Sequence, residues 1–123
     1  MAESNYKKLI VWQKAMLLTT SIYKIVKKLP KEELFALSDQ MRRAAISIPS
    51  NIAEGCGRRL QGELKYFLRI ASGSAAELET QLQICINLGY LEDDEVKDIF
   101  TMLREVEKML NSFMNSRKLI SAN

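Results

Sequence analysis

Between Leu9 and Leu29 the apolar residues fall at Leu9, Trp12, Ala15, Met16, Ile22, Tyr23, Val26 and Leu29, with Thr19 a tolerated polar member. That spacing is helical, and no alternation of period two competes with it. Val11, Leu18 and Ile25 form a second stripe beside the first. The apolar face then covers roughly half the circumference, wider than the ~100° stripe a simple surface helix needs. Pro30 stops this helix, predicted over 9–29, and Lys27 and Lys28 suit the negative end of its dipole.

The same pattern predicts three more helices. The second, over 34–57, turns Leu37, Met41, Ala44, Ala45, Ile48 and Ile52 to a core. Pro49 lies inside it and implies a kink, preferred over two short helices because the apolar phase is unchanged across it. The third, over 61–87, carries Leu64, Phe67, Leu68, Ala71, Ala75, Leu78, Leu82 and Cys85 on one face and stops at Gly89. The fourth, over 93–115, is predicted to start from Asp93 as N-cap. Its broad apolar set runs from Val96 to Met114, and a frayed tail is expected from about 116.

Short connections between long helices imply one domain over 1–123, an all-α, antiparallel, up-down-up-down four-helix bundle. At ~1.5 Å per residue it makes a rod about 30–40 Å long. The over-wide faces of the first and fourth helices exceed what one bundle buries, so self-association is expected.

Composition narrows the chemistry. The chain holds 123 residues, 47% hydrophobic and 27% charged, with 5 Gly, 2 Pro and no histidine. The missing imidazole removes Ser-His-Asp triads, Cys-His nucleophiles and His-ligated zinc. Cys56 and Cys85 form no CxxC pair and read as reduced thiols. The polar start and the lack of a ~20-residue apolar run point to a cytoplasmic protein. No cofactor and no metal ligand set is expected.

Arg43, Ser47, Asn51, Glu54 and Arg58 follow one another at steps of four, four, three and four. On a helical wheel they fall within about 80° of one another, beside the apolar face. Such a stripe is either an interhelical hydrogen-bond network that holds register or a ligand site, and no base stands near to activate Ser47. Folding the second and third helices back near 59–60 sets Ser47 opposite Gly73-Ser74 and lets Arg43 reach Glu77.

The run Gln40-Met41-Arg42-Arg43-Ala44-Ala45-Ile46-Ser47-Ile48-Pro49-Ser50-Asn51-Ile52-Ala53-Glu54-Gly55 resembles the signature of the 23S rRNA intervening-sequence proteins. Val11-Trp12-Gln13-Lys14-Ala15, Gly57-Arg58, Ile70-Ala71-Ser72-Gly73-Ser74, Glu77-Leu78-Glu79 and Leu88-Gly89-Tyr90-Leu91 extend the likeness over about residues 6 to 115. Such proteins are four-helix bundles of bacteria, similar to the accessory variability proteins of diversity-generating retroelements. The resemblance implies a ring-shaped homopentamer with a role around RNA. One departure is Leu60, which stands where family members often carry the serine of a capping box with Glu63.

The net charge of +3 hides an asymmetry. Residues 1–69 hold 13 basic and 6 acidic side chains, and residues 70–123 hold 5 and 9. Lys24, Lys27, Lys28, Arg42, Arg58 and Arg59 are the candidate nucleic-acid contacts, with Lys31 beside them. A ring repeats each cluster and sums the local field. Trp12, Tyr23, Phe67 and Phe100 read as core, which leaves no stacking platform. The reading is a non-enzymatic, oligomeric, RNA-associated protein; the alternative is a protein-interaction scaffold that uses Glu92, Asp93, Asp94 and Glu95. A carboxylate-metal nuclease built from Glu54, Glu63, Glu77 or Glu79 lacks a convergent set.

Overall fold

Pro30 ends the first helix earlier than its own position suggests. In the computed structural model, which describes residues 5–116, α1 spans Ile10–Ile25 and tightens into a 3-10 turn over Val26–Lys28. A residue before proline is pushed out of the helical region, and Leu29 is accordingly extended, with φ −72° and ψ 154°. Leu29 still reaches the core. A second 3-10 turn, Lys31–Glu33, delays α2 to Leu37–Cys56, three residues after the predicted start. Leu34 and Phe35 are left in the intervening turn, outside the core.

α2 runs unbroken through Pro49. Proline has no N–H to give the carbonyl four residues back, so the buried Ala45 carbonyl loses its helical donor. Thr19 of α1 replaces it: its hydroxyl lies 3.0 Å from the Ala45 oxygen and 2.8 Å from that of Ala15. The polar member of the α1 stripe is there to serve a proline on the next helix.

α3 (Gln61–Asn87) and α4 (Asp93–Met114) complete the set, and no strand occurs among the described residues. Leu60 provides no side-chain cap to α3. At its far end Gly89 adopts φ +78°, and Tyr90 and Gly89 donate to the Cys85 and Ile86 carbonyls at 2.9 and 3.0 Å. This is a Schellman stop. Glu92, rather than the expected Asp93, is the N-cap of α4, because Glu95 three residues on reaches back to the Glu92 N–H at 2.8 Å.

Each helix packs on its sequence neighbours and α4 returns to α1, closing a four-helix bundle. Leu18, Ile22, Met41, Ile48, Leu78, Leu82, Leu103 and Leu110 fill its centre. On α1 both stripes reach the core: Val11, Leu18 and Ile25 of the second are buried with Ala15 and Ile22 of the first, while Met16 and Tyr23 of the first are 43% and 40% exposed. Tyr23 is therefore not core, and Trp12, Phe67 and Phe100 are only half-buried. The surplus apolar face of α4 is largely covered: Phe100, Met102, Met109, Phe113 and Met114 pack partly buried against the core. Most of the expected frayed tail lies outside the described residues.

Candidate nucleic-acid interface

Of the α2 polar stripe, Ser47 is the member with a hydrogen bond to another helix among the described residues. Ser74 of α3 donates to the Ser47 hydroxyl at 2.7 Å, and Asn51 donates to the Ser47 hydroxyl and carbonyl at 2.9 and 2.8 Å. The expected facing of Ser47 and Ser74 is present. Arg58 pairs with Glu54 at 2.6 Å on its own helix. The expected Arg43–Glu77 pair is absent. Arg43 is 78% exposed and donates to Asp39 one turn back at 2.8 Å, a reach within one helix that needs no extension across the seam. Its guanidinium holds the Asp39 carboxyl below the usual range. Glu77 instead meets Gln81 at 3.4 Å.

The six candidate cations do not form one surface. Arg58 and Arg59 lie where α2 turns into α3, and Arg42 sits sixteen residues earlier on α2, about 24 Å away along the axis at ~1.5 Å per residue. Arg58 is further occupied by the Phe67 ring, 4.8 Å from its guanidinium carbon. At the other end the set divides again. Lys24 and Lys28 border a groove shared with Asp98, Ile99 and Met102 of α4. Lys28 is tied to Glu95 at 2.7 Å, which with the Glu92 N–H lowers the Glu95 pKa.

Lys27 and Arg42 face the other way, into a cleft of about 410 Å³ between α1 and the start of α2. Its walls are Tyr23, Val26, Leu29, Pro30 and Leu34, with Lys31 at the rim. Arg42 donates to the Leu34 carbonyl at 3.2 Å and lies 3.7 Å from Asp39. Lys24, Lys27, Lys31 and Arg59 have no carboxylate within ion-pair distance among the described residues. Phe35 follows the cleft-lining Leu34 in the turn before α2 and is 90% exposed. The sequence reading missed Phe35; an aromatic between the Pro30 turn and the first α2 core residue, Leu37, was the available signal.

The acidic side is α3–α4. Burial and the adjacent Glu79 carboxyl push Glu107 above the usual carboxylate range. Among the described residues no three His, Cys, Asp or Glu side chains converge as a metal site. Both cysteines are free, and burial together with Glu33 pushes the Cys85 thiol up to about 11. No helix of the described residues is long and apolar enough to cross a membrane.

Residues 7–112 match the family of 23S rRNA-intervening sequence proteins. The chain belongs to that family. The matched span contains all of α2, the cleft and every candidate cation. The chain is also similar to a crystal structure of a protein of unknown function from the S23 ribosomal protein family of Bacteroides thetaiotaomicron, with 26% identity and a TM-score of 0.81. That likeness covers 87% of this chain and all of the other. No curated protein matches the sequence. This intervening-sequence family member thus shares its bundle with that protein.

Proposed function

We propose that this protein is a non-enzymatic, oligomeric, RNA-associated factor of the cytoplasm that binds phosphates through the basic end of α1. One observation carries the reading. Lys27 and Lys31 line one cleft at the end of α1 and Lys24 borders the neighbouring groove, all three without carboxylate partners among the described residues, while α3 and α4 hold the acidic excess. Cations left unpaired at one end of a bundle make an anion-binding surface, and the family's association with 23S rRNA intervening sequences makes RNA the anion of choice. Contacts of this kind are weakly sequence-specific and strongly salt-dependent.

The oligomer is a head-to-tail ring, a homopentamer as in the similar accessory variability proteins of diversity-generating retroelements. Two features support it: apolar Ile10, Met16 and Leu17 are left exposed on α1, and opposite charge balances in the two halves of the chain favour a heterologous contact. Filter-binding titrations of structured ribosomal RNA fragments across salt test the RNA reading, with affinity expected to fall steeply as salt rises. No binding at low salt overturns it. Sedimentation equilibrium tests the ring, and a monomer at micromolar concentration overturns that part.

A protein-interaction scaffold is the second reading, favoured by exposed Glu92, Asp93 and Asp94 at the start of α4. Affinity purification from the native host separates the two. A partner lost on reversing these charges, with RNA binding absent, supports the scaffold.

A further inference from the structure

We infer that the cleft at the α1–α2 corner binds an unpaired nucleobase of single-stranded RNA, stacked against Tyr23 and met by the exposed Phe35 ring from the adjoining turn, while Lys27 and Lys31 hold the flanking phosphates. The inference rests on the RNA-associated reading above and adds the strand state and the place. Its first support is the aromatic surface. Phe35 is nine-tenths exposed and Tyr23 is 40% exposed, although large apolar rings are normally used to fill cores. The second is the cleft itself: about 410 Å³ with Tyr23, Val26, Leu29 and Leu34 as apolar walls, within the ~300–1,000 Å³ range of small-molecule sites.

The third support is the charge at its rim. Lys27 and Lys31 have no carboxylate within ion-pair distance among the described residues, and the acids nearby are mostly engaged. Asp39 is taken by Arg43 at 2.8 Å, and Glu33 accepts from the Tyr90 hydroxyl at 2.9 Å. Glu32 is the remaining exposed carboxylate at this corner. Arg42, by donating to the Leu34 carbonyl, braces the turn that presents Phe35.

Aromatic faces interleaved with lysines are what single strands need. Every base has a π-face to stack, and phosphates on either side meet the cations. A duplex keeps its bases stacked on one another, so it has no use for the rings. An apolar peptide has no use for the lysines. A second aromatic–cation cluster, Arg58 with Tyr66 and Phe67, is satisfied internally, Arg58 being committed to Glu54 and to the Phe67 face, and at a third Arg104 already covers the Phe100 ring at 5.5 Å.

The test is fluorescence anisotropy with the full chain, using a labelled single strand of about 12 nucleotides and its duplex at several salt concentrations. Tighter binding of the single strand is expected. Phe35→Leu is expected to weaken it about tenfold with the salt slope unchanged, and Phe35→Trp to retain it. The pair Lys27→Gln with Lys31→Gln is expected to flatten the single-strand slope by about 1.4. Tyr66→Leu is the control and is expected to change nothing. Equal binding of both strand states, weakened by the lysine variants and indifferent to Phe35→Leu, overturns this site and leaves the RNA reading standing. Absence of binding at low salt overturns both. A Phe35→Leu chain with altered sedimentation and unaltered RNA affinity makes the patch a contact between copies, and overturns the site.

Discussion

α2 offers one flank to α3 and the other to α1, and the two seams are built on opposite plans. Towards α3 it places Ser47, Asn51 and Gly55, small or locally satisfied, and the helices close on each other over a Ser47–Ser74 hydrogen bond. Towards α1 it places Pro49 and Ala45, pinned by Thr19, and the seam opens at both ends into grooves lined by Trp12 and Met16 or by Tyr23 and Lys27. A closed seam spends its polar groups on register. An open one keeps rings and cations available to something else, which is why the binding proposals fall on the α1 side.

The closed seam breaks most readily at Gly55. A Cβ there meets the Leu64 side chain and the Phe67 Cβ at 3.0 Å and the Leu64 carbonyl oxygen at 3.2 Å. The last two cannot rotate away. Gly55→Val is expected to cost about 3 kcal/mol by urea denaturation, the upper end for overpacking. Gly73, also helical, has nothing within 4 Å of its absent Cβ; Gly73→Ala is expected to gain up to about 1 kcal/mol from helix propensity. Equal responses at the two glycines remove the claim that α2 and α3 approach unusually closely near Gly55.

The open seam depends on its pin. Thr19→Val keeps the shape but leaves the buried Ala45 carbonyl without a donor, at an expected cost of about 2 kcal/mol. Ser47→Ala on the closed seam is expected to cost about 1 kcal/mol, since Asn51 keeps the Ser47 carbonyl. The double variant Ser47→Ala with Ser74→Ala loses less than the two singles summed, because both partners leave together. A larger loss at Ser47 than at Thr19 inverts the comparison of the seams.

How much of this was legible follows from which interactions are local. The bounds of α3 agree with the sequence because a Schellman glycine and an extended Leu60 act within a few residues of the helix ends. α1 stops short of the prediction because proline constrains the residue before it, and α4 is capped one residue early because Glu95 selects Glu92. Facing of Ser47 and Ser74 was legible from hairpin register alone. The exposure of Tyr23 was not: periodicity defines an over-wide stripe on α1 without saying which half a neighbour covers. Nor was the Phe35 surface, which depends on a turn that delays α2.

Outside the α2 seams, the α3–α4 side supplies a pH test. Glu107 keeps its proton better in the folded protein than in the unfolded chain, owing to burial and to Glu79. The stability this confers is full below the ordinary carboxylate pKa and is lost as pH rises through the raised value. Glu107→Gln removes the penalty of ionisation. Its melting temperature is expected to exceed the parent's near neutral pH and to match it near about pH 4; a constant difference across pH removes the Glu79–Glu107 account.

The smallest expected effect returns to α2 and decides which helix owns Arg43. If Arg43 spanned the closed seam to Glu77, Glu77→Gln would strand a cation between two helices and lower the melting temperature. With Arg43 held by Asp39 one turn away, Glu77→Gln alters an exposed side chain whose neighbour is the Gln81 amide. The change is expected to stay within about 0.5 kcal/mol, the range of ordinary surface substitutions. Asp39→Asn is the informative partner experiment. Because Arg43 depresses the Asp39 pKa, the stability from this pair is present above the unfolded value and lost as pH falls through the depressed one. The Asp39→Asn chain therefore melts lower than the parent at neutral pH, and the two converge in acid, while Glu77→Gln tracks the parent throughout. The reverse pattern returns Arg43 to the α2–α3 seam and makes that seam charged as well as close-packed.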